Sequence, residues 1–116
     1  MKHLALVALL LLSAITLLAA DITGTWAASI DLGSVGSGNA TFTFKQAGDK
    51  LTGTYAGTFG QSPLTGTVKG NDVEWTFDND QVGAITYTGV IDGGNKMKGS
   101  VQYGSVGKGS FIAEKK

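Results

Sequence analysis

The sequence predicts an all-β protein: an eight-stranded antiparallel up-and-down β-barrel that follows an N-terminal signal peptide. Apolar and polar residues alternate along nearly all of residues 21–116, which is the period of a half-buried strand. The links between the alternating segments are short and leave little chain for Greek-key crossings. Glycine recurs on the apolar face, where the strongly coiled strands of a small barrel need it. A β-sandwich is the alternative, because two packed sheets also give every strand one apolar and one polar face.

Residues 1–20 differ in composition from the rest of the chain. A short basic start, Met1-Lys2-His3, precedes a run that is nearly all Leu, Ala, Val and Ile and that ends on small residues before Asp21. This pattern is typical of a secretory signal peptide, which we expect to be cleaved near Ala20. The alternative is an uncleaved membrane anchor, for which about 20 apolar residues suffice. We therefore expect a signal peptide at residues 1–20, a single barrel domain at residues 21–116, and a secreted or periplasmic protein.

The composition of residues 21–116 excludes several classes of function. Eight lysines and nine acidic residues give a net charge of −1, which offers no electrostatic attraction to nucleic acid or to an anionic membrane. The chain has no cysteine, and its one histidine, His3, lies in the leader. Cysteine nucleophiles, imidazole bases, disulfides and most zinc, copper and haem sites are thereby excluded, so we expect neither a metal nor a cofactor.

The alternation places the strands in order along the chain. They are predicted at residues 22–31, 40–46, 50–56, 64–69, 72–77, 84–91, 96–103 and 108–113, with no helix among them. Residues 47–49, 70–71 and 92–95 have the Gly and Asn of tight hairpins, whereas longer links are expected at 33–39, 57–63, 78–83 and 104–107. Successive links of an up-and-down barrel lie at opposite ends, so the longer links share the end away from the chain termini. We expect the mouth of the barrel at that end.

The aromatic residues are the candidate ligand contacts. Nine of the ten share the inward parity of the alternation, and the exception, Phe59, lies in a predicted loop. Aromatic side chains dominate core burial in general, so core filling is the alternative to ligand binding for each of them. Glycines on the same parity are expected to free space beside these rings. The predicted ligand-binding residues of the interior and mouth are Trp26, Tyr55, Trp75, Tyr87, Tyr103 and Phe59.

Two cassettes carry a resemblance to known barrels. The chain has Ile22-Thr23-Gly24-Thr25-Trp26 and Leu51-Thr52-Gly53-Thr54-Tyr55, which resemble runs in the first and third strands of avidin-type barrels and, more distantly, the Gly-x-Trp opening of the lipocalin-like calycins. The Phe-Thr-Phe-Lys-Gln, Leu-Thr-Gly-Thr-Tyr and Met-Lys-Gly runs are similar to those of a group of small exported bacterial proteins, mostly uncharacterised.

The avidin resemblance implies a barrel rather than biotin binding. Tyr55 matches a residue that holds the ureido ring of biotin in that family. Ala28, however, stands at the position of the strand-one Asn, and Gly57 stands at that of the serine two residues beyond the tyrosine. A site built to hydrogen-bond its ligand loses affinity steeply when such partners are replaced.

Two functions follow from the predicted barrel. The leading hypothesis is a secreted, non-enzymatic module that binds a small apolar or amphipathic molecule at the open end, because eight-stranded barrels are just wide enough to hold one small ligand or to be filled by their own side chains. The alternative is a solid structural or adhesive module that contacts protein or glycan at the cell envelope through the loops around Phe59 and Val106.

An enzyme and an outer-membrane barrel are less favoured. Glu74 has outward parity while Asp78 and Asp80 are loop residues, so no pair of carboxylates is expected to face one pocket. The Asp78-Asn79-Asp80 run lacks the spacing of a calcium loop and is interpreted as a polar turn. The outward residues are Thr, Lys, Ser, Gln and Glu, whereas a membrane barrel needs an apolar outside, so we expect no membrane-spanning mature form.

Overall fold

The computed structural model describes residues 20–116 of the chain. The predicted signal peptide therefore lies, apart from Ala20, outside the described residues, and the domain boundary at residue 20 stays a prediction. Within residues 20–116, no helix has the length and apolar character needed to cross a membrane.

Eight antiparallel strands form one closed barrel in which each strand pairs with its neighbours in sequence and the last strand pairs with the first. The strands are β1 (Gly24–Asp31), β2 (Ser37–Ala47), β3 (Lys50–Gly57), β4 (Gly60–Lys69), β5 (Asp72–Asn79), β6 (Gly83–Ile91), β7 (Lys96–Tyr103) and β8 (Gly107–Lys115). The predicted fold class is confirmed, and the sandwich alternative is excluded. Closure removes the two free edges that an open sheet of these strands would expose.

The links alternate between the two ends of the barrel, as the up-and-down order requires. The turns at 48–49, 70–71 and 92–95 lie at the end where β1 begins and β8 ends, which we call the closed end. The links at 32–36, 58–59, 80–82 and 104–106 lie at the opposite end, the mouth.

The strands reach further toward the mouth than the sequence predicts. β2 begins at Ser37, and the link expected at 57–63 is a two-residue hairpin, Thr58-Phe59, between β3 and β4. The prediction was wrong because Gly, Gln, Ser and Pro at 60–63 have the composition of a loop. In the barrel these four residues pair in order with Gly57, Ala56, Tyr55 and Thr54 of β3, which keeps them in a strand.

Pro63 is tolerated in β4 because of where β4 meets β5. Pro63 pairs with Thr54 of β3, but the pairing of β4 with β5 begins only at Thr65, opposite Thr76. Proline has no N–H to donate, so it occupies strand positions where no second neighbour requires that hydrogen bond.

The link between β1 and β2 contains a helical turn that the sequence does not predict. Gly33–Val35 form one turn of 3-10 helix, closed by a hydrogen bond from Gly36 N to Gly33 O of 3.1 Å. Gly33 and Gly36 have positive φ values of 68° and 118°, which glycine adopts at little cost. A single turn of three residues does not change the all-β class.

The inward alternation is confirmed along every strand. All nine aromatic residues with inward parity are buried, together with the aliphatic residues of the same parity. At the closed end the interior is sealed by an aliphatic layer: Ile22, Leu51, Val68, Val73, Ile91 and Met97. Burial of each such side chain contributes about 1.5–3 kcal/mol, so this layer holds the closed end together.

The middle of the barrel is filled by aromatic rings in contact. Trp75 stacks on Tyr87 with ring centroids 5.0 Å apart and an interplanar angle of 5°. Phe42 meets both rings edge-on at 5.0 Å, and Phe111 meets them edge-on at 5.6 and 5.1 Å. Offset-stacked and edge-to-face pairs are the favourable geometries for aromatic rings, so the rings in the middle of the barrel attract one another as they fill it.

The inward glycines make room for neighbouring groups of the protein itself. A Cβ at Gly66 would overlap the carbonyl oxygen of Glu74 on β5, and a Cβ at Gly89 would lie 2.9 Å from Cζ of Phe111. The expectation that these glycines free space for a ligand is therefore wrong below the mouth. They let adjacent strands coil tightly and let the rings approach the barrel wall.

The closed end is tied to the N-terminal segment by Gln46. Its Oε1 accepts a hydrogen bond from Ile22 N at 2.9 Å, and its Nε2 donates to Ala20 O at 2.7 Å and to Gly48 O at 2.9 Å. Ile22 is fully buried, so its backbone N–H needs this partner. Gln46 thereby holds the chain across the end of the barrel before β1 begins.

Replacing Gly66 by Ala should destabilise the barrel by about 1–3 kcal/mol, because backbone atoms of β5 already occupy the position of the added methyl group. The matched control is Gly94→Ala in the β6–β7 turn, where a Cβ meets nothing within 4 Å; its effect should stay within about 0.5 kcal/mol. Urea unfolding of both variants measures the difference. Equal losses would show that the tight approach of β4 and β5 does not constrain the fold.

Replacing Gln46 by Ala should cost about 1–3 kcal/mol of the free energy of unfolding, because the buried Ile22 N–H is left without its acceptor. Gln102→Ala is the matched control, since the exposed Gln102 makes one hydrogen bond, from Nε2 to Gly104 O. Thermal unfolding of the two variants compares them. A smaller loss for Gln46→Ala than for the control would contradict the role assigned to Gln46.

Candidate ligand site

A cavity of about 270 Å³ opens at the mouth of the barrel. Its walls are the upper ends of the strands, and its rim consists of the Leu32–Gly36 link and the Thr58-Phe59 hairpin. The lining is mostly apolar and aromatic: Ile30, Leu32, Val35, Ala40, Tyr55, Phe59, Phe77, Ile85, Tyr87, Val101 and Tyr103. Ser37, Asn39 and Thr58 add polar groups at the rim. No lysine, aspartate or glutamate is part of the lining, so the cavity is electrically neutral.

Two of the three tyrosines hold the rim in place. Tyr55 Oη accepts a hydrogen bond from Phe59 N at 3.1 Å, which fixes the hairpin above β3 and β4. Tyr103 Oη donates to Leu32 O at 3.2 Å, which fixes the start of the link after β1. Phe59 and Leu32 both pack against the core. These contacts give the mouth a defined shape.

Glycines leave room for the same two tyrosines. A Cβ at Gly57 would lie 2.6 Å from Tyr55 Oη, and a Cβ at Gly107 would lie 3.4 Å from Tyr103 Oη. At the mouth, as in the middle of the barrel, the small inward residues accommodate the protein's own aromatic side chains.

Tyr87 differs from the other two tyrosines. No residue of the described part of the chain forms a hydrogen bond with its hydroxyl. In the same part of the chain, Trp75 Nε1 is the one fully enclosed side-chain N or O atom without a partner. The Tyr87 hydroxyl also has no partner yet is not enclosed, so it must open onto the cavity that Tyr87 lines.

The pKa of Tyr87 reflects this position. Burial in the upper barrel raises the pKa well above its ordinary value of 10.0, and the nearby Tyr55 raises it further. Loss of the phenolic proton would place a negative charge in an apolar site without a counter-ion. Tyr87 therefore stays neutral and keeps its O–H donor over the whole physiological range.

The structure brings four of the six predicted site residues together. Tyr55, Tyr87, Tyr103 and Phe59 line the mouth cavity. Trp26 and Trp75 lie in the barrel interior, as the alternation predicts, but both are fully buried and neither lines the cavity. Trp26 Nε1 donates to Ile22 O at 2.9 Å, near the closed end. These two tryptophans are therefore core residues outside the candidate site.

Several cavity residues are missing from the sequence prediction. Phe77, Ile85 and Val101 have the inward parity and stand near the mouth end of their strands, so the parity and the strand end together could have found them. Leu32 and Val35 belong to an irregular link, and no periodic signal shows that such residues fold over the mouth.

The prediction that the whole Asp78-Asn79-Asp80 run is a polar turn was wrong, because Asp78 and Asn79 end β5, where they pair with Ala84 and Gly83, and Asp80 alone of the three lies in the turn. Asn79 Oδ1 accepts hydrogen bonds from Gln81 N at 2.8 Å and Val82 N at 3.2 Å, and Asn79 Nδ2 donates to Phe59 O at 3.4 Å. The Asn79 side chain thus links the β5–β6 turn to the neighbouring hairpin. Its oxygen is occupied by backbone donors.

The chain matches no protein-family model, and none of the curated proteins compared with it matches either. The structure shows the closed eight-stranded up-and-down barrel that the resemblance implies, and the likeness to avidins and calycins in particular stays a prediction. Any assignment of function rests on the mouth cavity and its chemistry.

The raised pKa of Tyr87 predicts a stability difference at alkaline pH. Below pH 10 the group is protonated in both states and has no effect on the pH dependence. Above pH 10 the unfolded chain loses this proton while the folded chain keeps it, so stability falls by up to about 1.4 kcal/mol per pH unit. Tyr87→Phe should remove this contribution, and urea unfolding of both proteins between pH 9 and pH 11 measures it. If the free energy of unfolding changes with pH in the same way for the wild-type protein and Tyr87→Phe, Tyr87 is not protected from ionisation by the fold.

Proposed function

We propose that the barrel is an exported, non-enzymatic module that holds a small apolar or amphipathic molecule in its mouth. The observation that carries the proposal is the apolar and aromatic cavity at the mouth, opposite the closed end of the barrel. Its volume of about 270 Å³ is just below the range of roughly 300–1,000 Å³ typical of ligand pockets. A molecule of a few rings or a short chain fits this space, and a longer one must protrude between the rim loops.

The chemistry of the lining supports binding rather than catalysis. General acid–base work needs groups that exchange protons near the operating pH. The lining has no carboxylate or amine, and the raised pKa of Tyr87 makes that phenol a poor base at neutral pH. The proposed activity is therefore retention of an unaltered ligand.

Export is proposed from the N-terminal sequence. Residues 1–20 have the basic start, apolar run and small-residue end of a signal peptide. The N-terminus of the mature protein, measured by mass spectrometry after expression in a secreting bacterium, should lie near Asp21.

The filled interior favours a second candidate function, a solid structural or adhesive module. Below the cavity the barrel is occupied by its own aliphatic and aromatic side chains. Two apolar residues on the mouth-side links, Val35 and Val106, are 63% and 52% exposed. Contact with a protein or glycan of the cell envelope through these links would use the barrel as a rigid support.

Ligand binding predicts stabilisation of the folded protein. Fatty acids, retinoids and small aromatic compounds are each added to residues 21–116, and the melting temperature is measured. A ligand at about ten times its Kd should stabilise the fold by about 1.4 kcal/mol and raise the melting temperature by several degrees.

The control is Ala40→Phe, which places a ring in the cavity from the wall of β2. The variant should lose the response to every compound that stabilises the wild-type protein. If no compound raises the melting temperature of the wild-type protein, ligand binding is wrong and the structural module is the better proposal.

A further inference from the structure

The buried part of the mouth cavity, below the exposed Ser37, Asn39 and Thr58 of the rim, contains two hydrogen-bond donors without acceptors in residues 20–116. Tyr87 has an O–H group that no described residue accepts. Tyr55 Oη accepts from Phe59 N, but this bond uses an oxygen lone pair and leaves the hydrogen of its hydroxyl available. Tyr103 is different, because its hydroxyl hydrogen is used in the bond to Leu32 O. The buried part of the cavity therefore offers two donors, from two neighbouring tyrosines.

Both donors are held on a rigid base. The ring of Tyr87 stacks on Trp75, and the ring of Tyr55 stacks on Phe77 with centroids 4.2 Å apart and an interplanar angle of 15°. Phe42 contacts both tyrosine rings, with centroids 5.7 Å from Tyr55 and 5.0 Å from Tyr87. Packing on shared neighbours fixes where the two hydroxyls stand, so little ordering is needed when a ligand binds.

The neutral lining favours an uncharged hydrogen-bond acceptor over a charged one. A carboxylate buried in the cavity would be without a cationic partner, since no lysine belongs to the lining. An unpaired buried charge is costly, whereas a carbonyl oxygen that receives a hydrogen bond is not. A neutral acceptor is therefore the chemistry that these two donors recognise.

On the basis of the proposed function, we infer that the ligand is a neutral molecule that presents a carbonyl oxygen to the hydroxyls of Tyr87 and Tyr55, with its apolar part against Ile85, Val101 and Phe59. This chemistry selects ketones, aldehydes and esters of apolar compounds over both the hydrocarbons of the same shape and the corresponding acids. The two phenols supply selectivity, and the apolar lining supplies most of the affinity.

Three probes of nearly equal shape test the inference: acetophenone, α-methylstyrene, in which a CH₂ group replaces the carbonyl oxygen, and benzoate. Their dissociation constants are measured by NMR titration of the wild-type protein, Tyr87→Phe and Tyr103→Phe. The wild-type protein should bind acetophenone about fivefold more tightly than α-methylstyrene, as expected for one net hydrogen bond, and should bind benzoate most weakly.

The two variants separate the hydroxyl from the ring. Tyr87→Phe should lower the ratio of the two neutral probes, because it removes one of the two donors, and an affinity for α-methylstyrene close to that of the wild-type protein would report that the cavity is intact. Tyr103→Phe should weaken the binding of both neutral probes alike, because the rim loses its bond to Leu32 O, and should keep the wild-type ratio, because the hydroxyl it removes does not face the ligand.

Equal binding of acetophenone and α-methylstyrene by the wild-type protein would overturn the carbonyl inference and leave the proposed binding function standing. Tightest binding of benzoate would overturn the requirement for a neutral ligand. An unchanged ratio in Tyr87→Phe would overturn the assignment of the donor. Failure of the wild-type protein to bind any of the three probes would count against the inference and the binding function together.

Discussion

Closure of the sheet is the constraint on which the rest of the structure depends. β8 pairs with β1 from Trp26 opposite Lys115 to Asp31 opposite Ser110, so the first and last strands complete the wall. An eight-stranded circle has a narrow interior, and its strands must coil strongly to close it. The inward glycines follow from this requirement, because Gly53, Gly66 and Gly99 stand where a side chain would overlap the backbone of the next strand.

The narrow interior also explains why the barrel is filled along most of its length. Trp75 and the rings around it occupy the middle, and Trp26, an aliphatic layer and the Gln46 tie fill the closed end. A hydrophobic core of this kind stabilises a domain that has no disulfide. Inside the barrel formed by residues 20–116, space for another molecule remains where the rings give way to the rim loops.

Tyrosine has two uses at that rim. Tyr55 and Tyr103 direct their hydroxyls to backbone groups of the two loops and so hold the mouth open in a defined shape. Tyr87 lies beside them, and its O–H group forms no hydrogen bond with any described residue. A residue with an apolar body and a polar tip suits this boundary, because the ring contributes to the core while the hydroxyl faces the cavity.

The sequence by itself determined the barrel class, the strand order, the inward face and the end at which the mouth lies, because the period-two alternation and the link lengths are local properties of the chain. It also singled out Tyr55, Tyr87, Tyr103 and Phe59, which have the parity or the loop position of mouth residues. Only the tertiary structure decided that Trp26 and Trp75 are core, that residues 60–63 extend β4, and that Leu32 and Val35 cover the rim. These outcomes depend on the position of each side chain along the barrel axis and on which ring packs beside each glycine. Both follow from the register of eight strands around a closed circle, and no segment of the chain carries that register alone.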